Sequence, residues 1–156
     1  MHFAGAVDAE PAPGVVNAIM SADAILLAPS NPITSIGPIL AVPGIREALR
    51  DARAPIVAVS PIVGGAPVAG PAGVLMASQG LPVSIAGVAQ AYREFLDVLV
   101  VDVRDANAAK ELRAAGVNVH CTKTIMRTAE DKAELARTVV SFVAGESATY
   151  AAKGRS

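Results

Sequence analysis

The chain has 156 residues, 53 % hydrophobic, 17 % charged and 3 % aromatic, which predicts one domain and excludes a disordered polymer. A formal net charge of −1 excludes a polybasic surface that holds nucleic acid or anionic lipid by bulk charge. The apolar runs are broken by Pro, Ser or charge well short of the roughly 20 residues a membrane-spanning helix needs, so no membrane partner is expected.

In chain order, Pro13 suits the start of a helix ending near Ser21, and a strand is predicted over 24–28. Pro43 suits the first turn of a helix through Ile45 and Leu49, followed by a strand over 56–60. A weaker strand is expected over 81–85, where Pro82 suggests a strand start or a sheet edge. Leu75 and Met76, just before it, read as core. A strand over 98–103 leads to Asp105, the preferred N-cap of a helix over 106–115 that Gly116 closes. The last strand is predicted over 117–121. The spacing of Thr128 and Asp131 then resembles a capping box, with Leu135, Ala136, Val139, Phe142 and Val143 on one face and Gly145 as the expected stop.

The apolar residues of these strands do not alternate with polar ones, so both faces of the sheet are expected to be covered. The reading is an α/β fold, Rossmann-like and doubly wound, with a mainly parallel sheet between helix layers. Residues 1–145 form the domain, and 146–156, with no core face, a flexible tail.

The N-terminus lacks the basic start and apolar core of a secretion signal, and a cytoplasmic location is expected. Cys121 has no partner for a disulfide or at metal spacing and reads as a small buried residue at a strand end. His2 and His120 are isolated, and neither is read as a catalytic base.

In open α/β sheets, ligands bind outside the carboxyl ends of the strands. The turn after the first strand carries Ser30, Asn31, Pro32, Thr34, Ser35 and Gly37, which offer hydroxyl, amide and backbone donors to one anion. The same residues also suit an ordinary capped turn. After the second strand come Ser60 and the Gly64–Gly65 pair, which fits either a tight turn or a nest of amides for phosphate oxygens. Asp102, beside Asp105 at the end of the fourth strand, is left open between structural and magnesium-binding roles. The P-loop, the dinucleotide fingerprint and the nucleophile elbow are all absent. No residue is assigned as acid, base or metal ligand.

Several ordered strings make the chain more specific than that. They are Pro11 to Val15, Leu27 to Pro32, Ser35 to Leu40, Val42 to Ile45, Val59 to Gly65, Val101–Asp102 with Asp105–Ala106, and Thr124 to Met126. Together they resemble the 2-phospho-L-lactate transferase family of deazaflavin coenzyme F-420 biosynthesis, over most of the chain. The resemblance implies transfer of a phospholactyl-type group, or a phosphoenolpyruvyl or phosphoglyceryl group, from a guanosine diphosphate-linked donor to a deazaflavin alcohol. GMP is released, magnesium assists, and the protein is a homodimer. It also implies that Ser30, Asn31, Pro32, Thr34, Ser35 and Gly37 line the ligand crevice, with Ser60, Gly64 and Gly65 beside it. Family members are longer and open with a glycine-rich turn and an acidic metal-binding residue. The chain therefore reads as a C-terminal part, an incomplete domain with most magnesium ligands outside it, and is expected to be inactive alone. Ala69, Ala91 and Lys123 depart from the cation, His and Asp usual at these places. The alternative is a non-catalytic nucleotide-sugar-binding regulatory module of the same superfamily.

Overall fold

The first helix and the third are launched by the same device. Ala12-Pro13-Gly14-Val15 and Val42-Pro43-Gly44-Ile45 are turns closed by N–H to carbonyl bonds of 3.1 and 3.3 Å. Gly14 and Gly44 sit at φ 86° and 89°, the left-handed conformation that the third position of a type II turn demands. Each proline thus stands two residues before its helix, outside the first turn where the sequence suggested it. Helix α1 spans Val15–Ser21, strand β1 Ile25–Leu27, helix α2 Ile36–Leu40 and helix α3 Ile45–Asp51. The Gly44 N–H also donates to Glu47 at 3.0 Å.

The computed structural model describes residues 3–152. Strand β2 (Ile56–Val59) runs through Ser60 into a hairpin of β3 (Ile62–Val63) and β4 (Ala66–Pro67). Helices α4 (Ala72–Ser78) and α5 (Ile85–Tyr92) follow, then β5 (Val98–Asp102), a 3-10 turn (Val103–Asp105), α6 (Ala106–Ala114), β6 (Val119–Thr122) and α7 (Ala129–Ala152).

Four strands form one parallel sheet in the order β1-β2-β5-β6. Every crossover advances in the same direction, and right-handed connections then place all the intervening helices on one face. The two cores show this partition. Ile56, Ala58, Leu99, Val101 and Val119 point toward a cluster that includes Leu49 of α3, Met76 of α4, Val88 of α5 and Ala109 of α6. Val57, Val59, Val98 and Val100 point the other way, against Leu135, Val139 and Val143 of α7. Those helix residues recur every four positions, the apolar stripe expected from the sequence. β2 and β5 are buried at every residue, which is why their aliphatic runs do not alternate. The α/β sheet between helix layers is therefore as expected, with an asymmetry the sequence did not disclose. On the α7 side Leu26 of β1 stays 47 % exposed.

Two expectations are corrected. The 81–85 segment is not a strand: Pro82 lacks a donor, and Ser84 instead accepts from the Gly87 N–H at 3.4 Å, capping α5. Gly145 does not end the last helix, which continues to Ala152, because nothing there adopts the left-handed cap. Residues 153–156 of the expected tail, and His2, lie outside the described residues. Other expectations hold. Thr128 accepts from the Asp131 N–H at 3.1 Å while Asp131 accepts from Thr128 and Arg127 at 2.8 Å. Gly116, at φ 89°, follows α6. Met76 is fully buried, and Leu75 packs against the same core.

Candidate functional site

Because the four strands are parallel, their carboxyl ends share one rim, and the turns that follow all open there. The β1 turn contributes Ser30, Asn31, Pro32, Thr34 and Ser35, with Gly37 in the first turn of α2. Asn31 folds it: its side-chain carbonyl accepts from Ile33 at 2.9 Å and Thr34 at 3.3 Å, an Asx turn. Its main-chain carbonyl accepts from Ser35 and Ile36 at 3.1 and 3.0 Å. Pro32 is buried and Ser30 half-buried, leaving the Thr34 and Ser35 residues exposed toward solvent. Gly37 is packed closely, since a Cβ there would lie 3.0 Å from the Phe3 ring and 3.2 Å from the Pro32 carbonyl. Small residues in this turn thus serve chain packing.

Ser60 is on the rim but turned inward. It is 1 % exposed, its hydroxyl donates to the Ile62 carbonyl at 3.0 Å, and it accepts from the Ile62 N–H at 3.1 Å. Both roles of the hydroxyl are used within its own turn, so it shapes the rim without presenting a polar group to it. Gly64 and Gly65 form the two-residue loop of the β3–β4 hairpin, at φ 61° and 76°. Positive φ at both positions is the type I′ geometry that suits a twisted hairpin. The Gly64 N–H is not open to a phosphate, because it donates to both Asp105 oxygens at 3.0 Å. Gly65 is exposed at the tip. Asp105 makes no side-chain cap bond to α6, so the expected cap is corrected: the carboxylate is spent on the hairpin, 41 residues away in sequence.

Asp102, last residue of β5 and 3 % exposed, reaches the other way. It accepts from the Thr124 N–H at 2.9 Å and hydroxyl at 3.3 Å, and from the Arg104 N–H at 3.1 Å. Burial pushes its carboxyl up, but the Thr124 and Arg104 amides, the Thr124 hydroxyl and the Arg104 charge outweigh burial and hold it below the usual range. The end of β5 therefore carries two buried carboxylates that tie down the loops on either side. Neither tether has a local sequence signal, whereas the Gly64–Gly65 pair between Ile62–Val63 and Ala66–Pro67 is a hairpin signature that was readable.

Beyond Thr122, a cleft of about 340 Å³ opens between the end of β6 and the first turns of α7. Its lining includes Cys121, Thr122, Lys123, Ile125, Glu134 and Thr138. Cys121 is half-buried, and its sulfur accepts from Arg113 at 3.4 Å. Three strand spacings, about 14 Å, separate the ends of β1 and β6, so the β1 turn and this cleft are opposite ends of one rim. Of the positions where the sequence departs from the strings it resembles, Lys123 stands exposed in the cleft and Ala69 exposed after the hairpin, whereas Ala91, on α5, packs against the core. His120, on β6, stacks its ring on Phe142 with centroids 4.5 Å apart.

The residues present do not by themselves fit a magnesium site. Among the described residues no group of three or more His, Cys, Asp or Glu side chains is placed to hold a metal ion. The oxygens of Asp102 and Asp105 already accept from amides. Among the same residues no helix is long and apolar enough to cross a membrane.

Residues 2–142 match the family model described as 2-phospho-L-lactate transferase CofD. The chain is 45 % identical over 130 residues to the 2-phospho-L-lactate transferase of Methanococcoides burtonii, covering 83 % of this chain and 42 % of that protein. It is 49 % identical over 139 residues to the phosphoenolpyruvate transferase of Streptomyces coelicolor, covering 88 % and 44 %. The chain thus spans less than half the length of these curated relatives. A crystal structure of a Bacillus halodurans protein superposes with a TM-score of 0.57 over 85 % of this chain and 48 % of that one. At 21 % identity that likeness shows the fold alone.

Proposed function

This chain belongs to the 2-phospho-L-lactate transferase CofD family, and on that premise we propose that it serves phosphoryl-linked group transfer in coenzyme F-420 biosynthesis. The donor is a guanosine diphosphate whose outer phosphate is esterified to a three-carbon acid, so that the group moved is phospholactyl, phosphoenolpyruvyl or phosphoglyceryl; the acceptor is a deazaflavin alcohol. The alcohol oxygen attacks the phosphorus bearing the three-carbon group, one P–O bond forms, the bridging P–O bond breaks, and GMP leaves. The alcohol proton passes to solvent.

Such a displacement needs oriented phosphates and a stabilised spread of charge more than a covalent nucleophile. One observation carries the reading: the family-like strings that follow β1, β2, β5 and β6 open on a single rim of a parallel sheet, with exposed Thr34, Ser35 and Gly65 along it. In this reading the β1 turn and the hairpin tip receive the donor's phosphates, and Asn31 and Ser60 hold the shape that receives them. Magnesium, which the described residues do not by themselves hold, would shield the diphosphate charge, and no step is routed through it. The protein works as a cytoplasmic homodimer. The 156 residues position ligand but turn over little alone.

Calorimetric titration tests this. GDP is expected to bind the chain in preference to a uridine diphosphate-sugar, and Asn31→Ala to weaken GDP binding, because the Asx turn opens. Preference for the uridine diphosphate-sugar would favour a nucleotide-sugar-binding regulator instead. Robust release of GMP by the 156 residues alone would refute their dependence on other residues, without touching the transfer chemistry.

A further inference from the structure

The hairpin that ends β2 is too small to hold its own orientation. Each arm has two residues, and its register pairs Ile62 with Pro67, which has no N–H to contribute to the ladder. An isolated two-stranded hairpin is at best marginal in water. Its first arm, Ile62 and Val63, is buried in the core, and hydrogen bonds close its base and hold its tip. At the base, the Val68 N–H donates to the Pro61 carbonyl at 3.0 Å. At the tip, Gly64 donates to Asp105. Asp105 is 8 % exposed and lies between β5 and α6, on backbone held by the central sheet. Its carboxylate has abandoned the nearest use open to it, the cap of α6, for a contact with a loop at the rim.

We propose that Asp105 is a positioning residue for the ligand: by latching the Gly64 amide it fixes the exposed Gly65 tip against the rim in the orientation that receives the donor's diphosphate. The inference rests on the proposed function and adds to it a residue that does not touch the substrate. The latch also decides which amide is on offer, since Gly64 is occupied by an internal anion and Gly65 is not.

The test is GDP binding by calorimetry to wild type, Asp105→Ala and Asp105→Asn, at a temperature where circular dichroism shows each variant folded. Asparagine keeps one carbonyl oxygen for Gly64, and alanine keeps none. Asp105→Ala is expected to weaken GDP binding about ten-fold, the scale of one lost hydrogen bond in a binding equilibrium, and Asp105→Asn to restore most of it. A purely structural role would lower thermal stability in both variants and leave the affinity of the folded protein unchanged. Should Asp105→Ala not fold, Asp105→Ser takes its place, because its shorter side chain falls short of Gly64. Wild-type affinity in the truncated variant, or equal weakening in the asparagine variant, would overturn the latch. Failure of wild type to bind GDP would instead overturn the function on which it rests.

Discussion

Replacing Asp102 by Asn tests whether the rim is held by a charge or only by shape. The side chain has two oxygens with different duties: Oδ1 accepts from Arg104 and Oδ2 from the Thr124 amide and hydroxyl. Asparagine supplies one oxygen and one NH2, so whichever way it turns, a donor faces a donor and one backbone N–H loses its partner. Thr124 is 5 % exposed, and water does not readily replace the lost bond. An unsatisfied buried group costs about 1–3 kcal/mol, and bonds to a charged acceptor lie at the upper end. We expect Asp102→Asn to lose about 2–3 kcal/mol, a fall in Tm of roughly 4–12 °C for a domain of this size. Urea unfolding followed by circular dichroism measures it.

The pH dependence supplies a second check. The folded carboxyl sits below its ordinary value of 3.8, so between the two values the unfolded chain binds more protons than the folded one. The stabilisation is therefore complete above the ordinary value and is lost as pH falls through the folded value. The gap between wild type and Asp102→Asn should be constant from pH 5 to 8 and shrink below about pH 4. Equal stability at neutral pH, or a gap that persists undiminished at pH 3, would refute the reasoning.

Gly87→Ala sets helix propensity against packing. Propensity alone favours alanine inside α5 by about 1 kcal/mol, but the new Cβ would collide with the Pro82 carbonyl and lie 2.9 Å from the Met76 methyl. A net loss of about 2 kcal/mol is expected from overpacking against backbone; an increase in the urea midpoint would contradict that packing. His120 is held below its usual value of 6.5 by burial first and the Arg113 charge second. The unfolded chain therefore takes up the proton first, and stability falls as pH drops from 6.5 through the folded value. Wild-type Tm should decline across that window more steeply than that of His120→Gln, and parallel curves would show that the imidazole is not the cause.

What was readable from sequence is what neighbours in the chain decide. Continuous aliphatic runs at β2 and β5 announced strands buried on both faces, because a parallel sheet leaves no wet side to alternate with. The Thr128–Asp131 cap, the Gly116 stop and the four-residue stripe on α7 are local too, each involving a few residues and one turn of backbone. The rim was located for the same reason: parallel strands must end together. Local signals failed where two local uses compete and a distant partner chooses. Pro82 and Ser84 fit a strand edge or a helix cap, and burial of α5 against the sheet selected the cap. Asp105 is a good N-cap by composition, yet packing brought Gly64 to its carboxylate across 41 residues. Ser60 looked like a ligand group until burial gave its hydroxyl to Ile62. The one-way strand order, which puts the crossover helices α2 to α6 on one face and leaves α7 to the other, likewise depends on which strands meet, a choice made by long-range burial rather than by any residue's own preference.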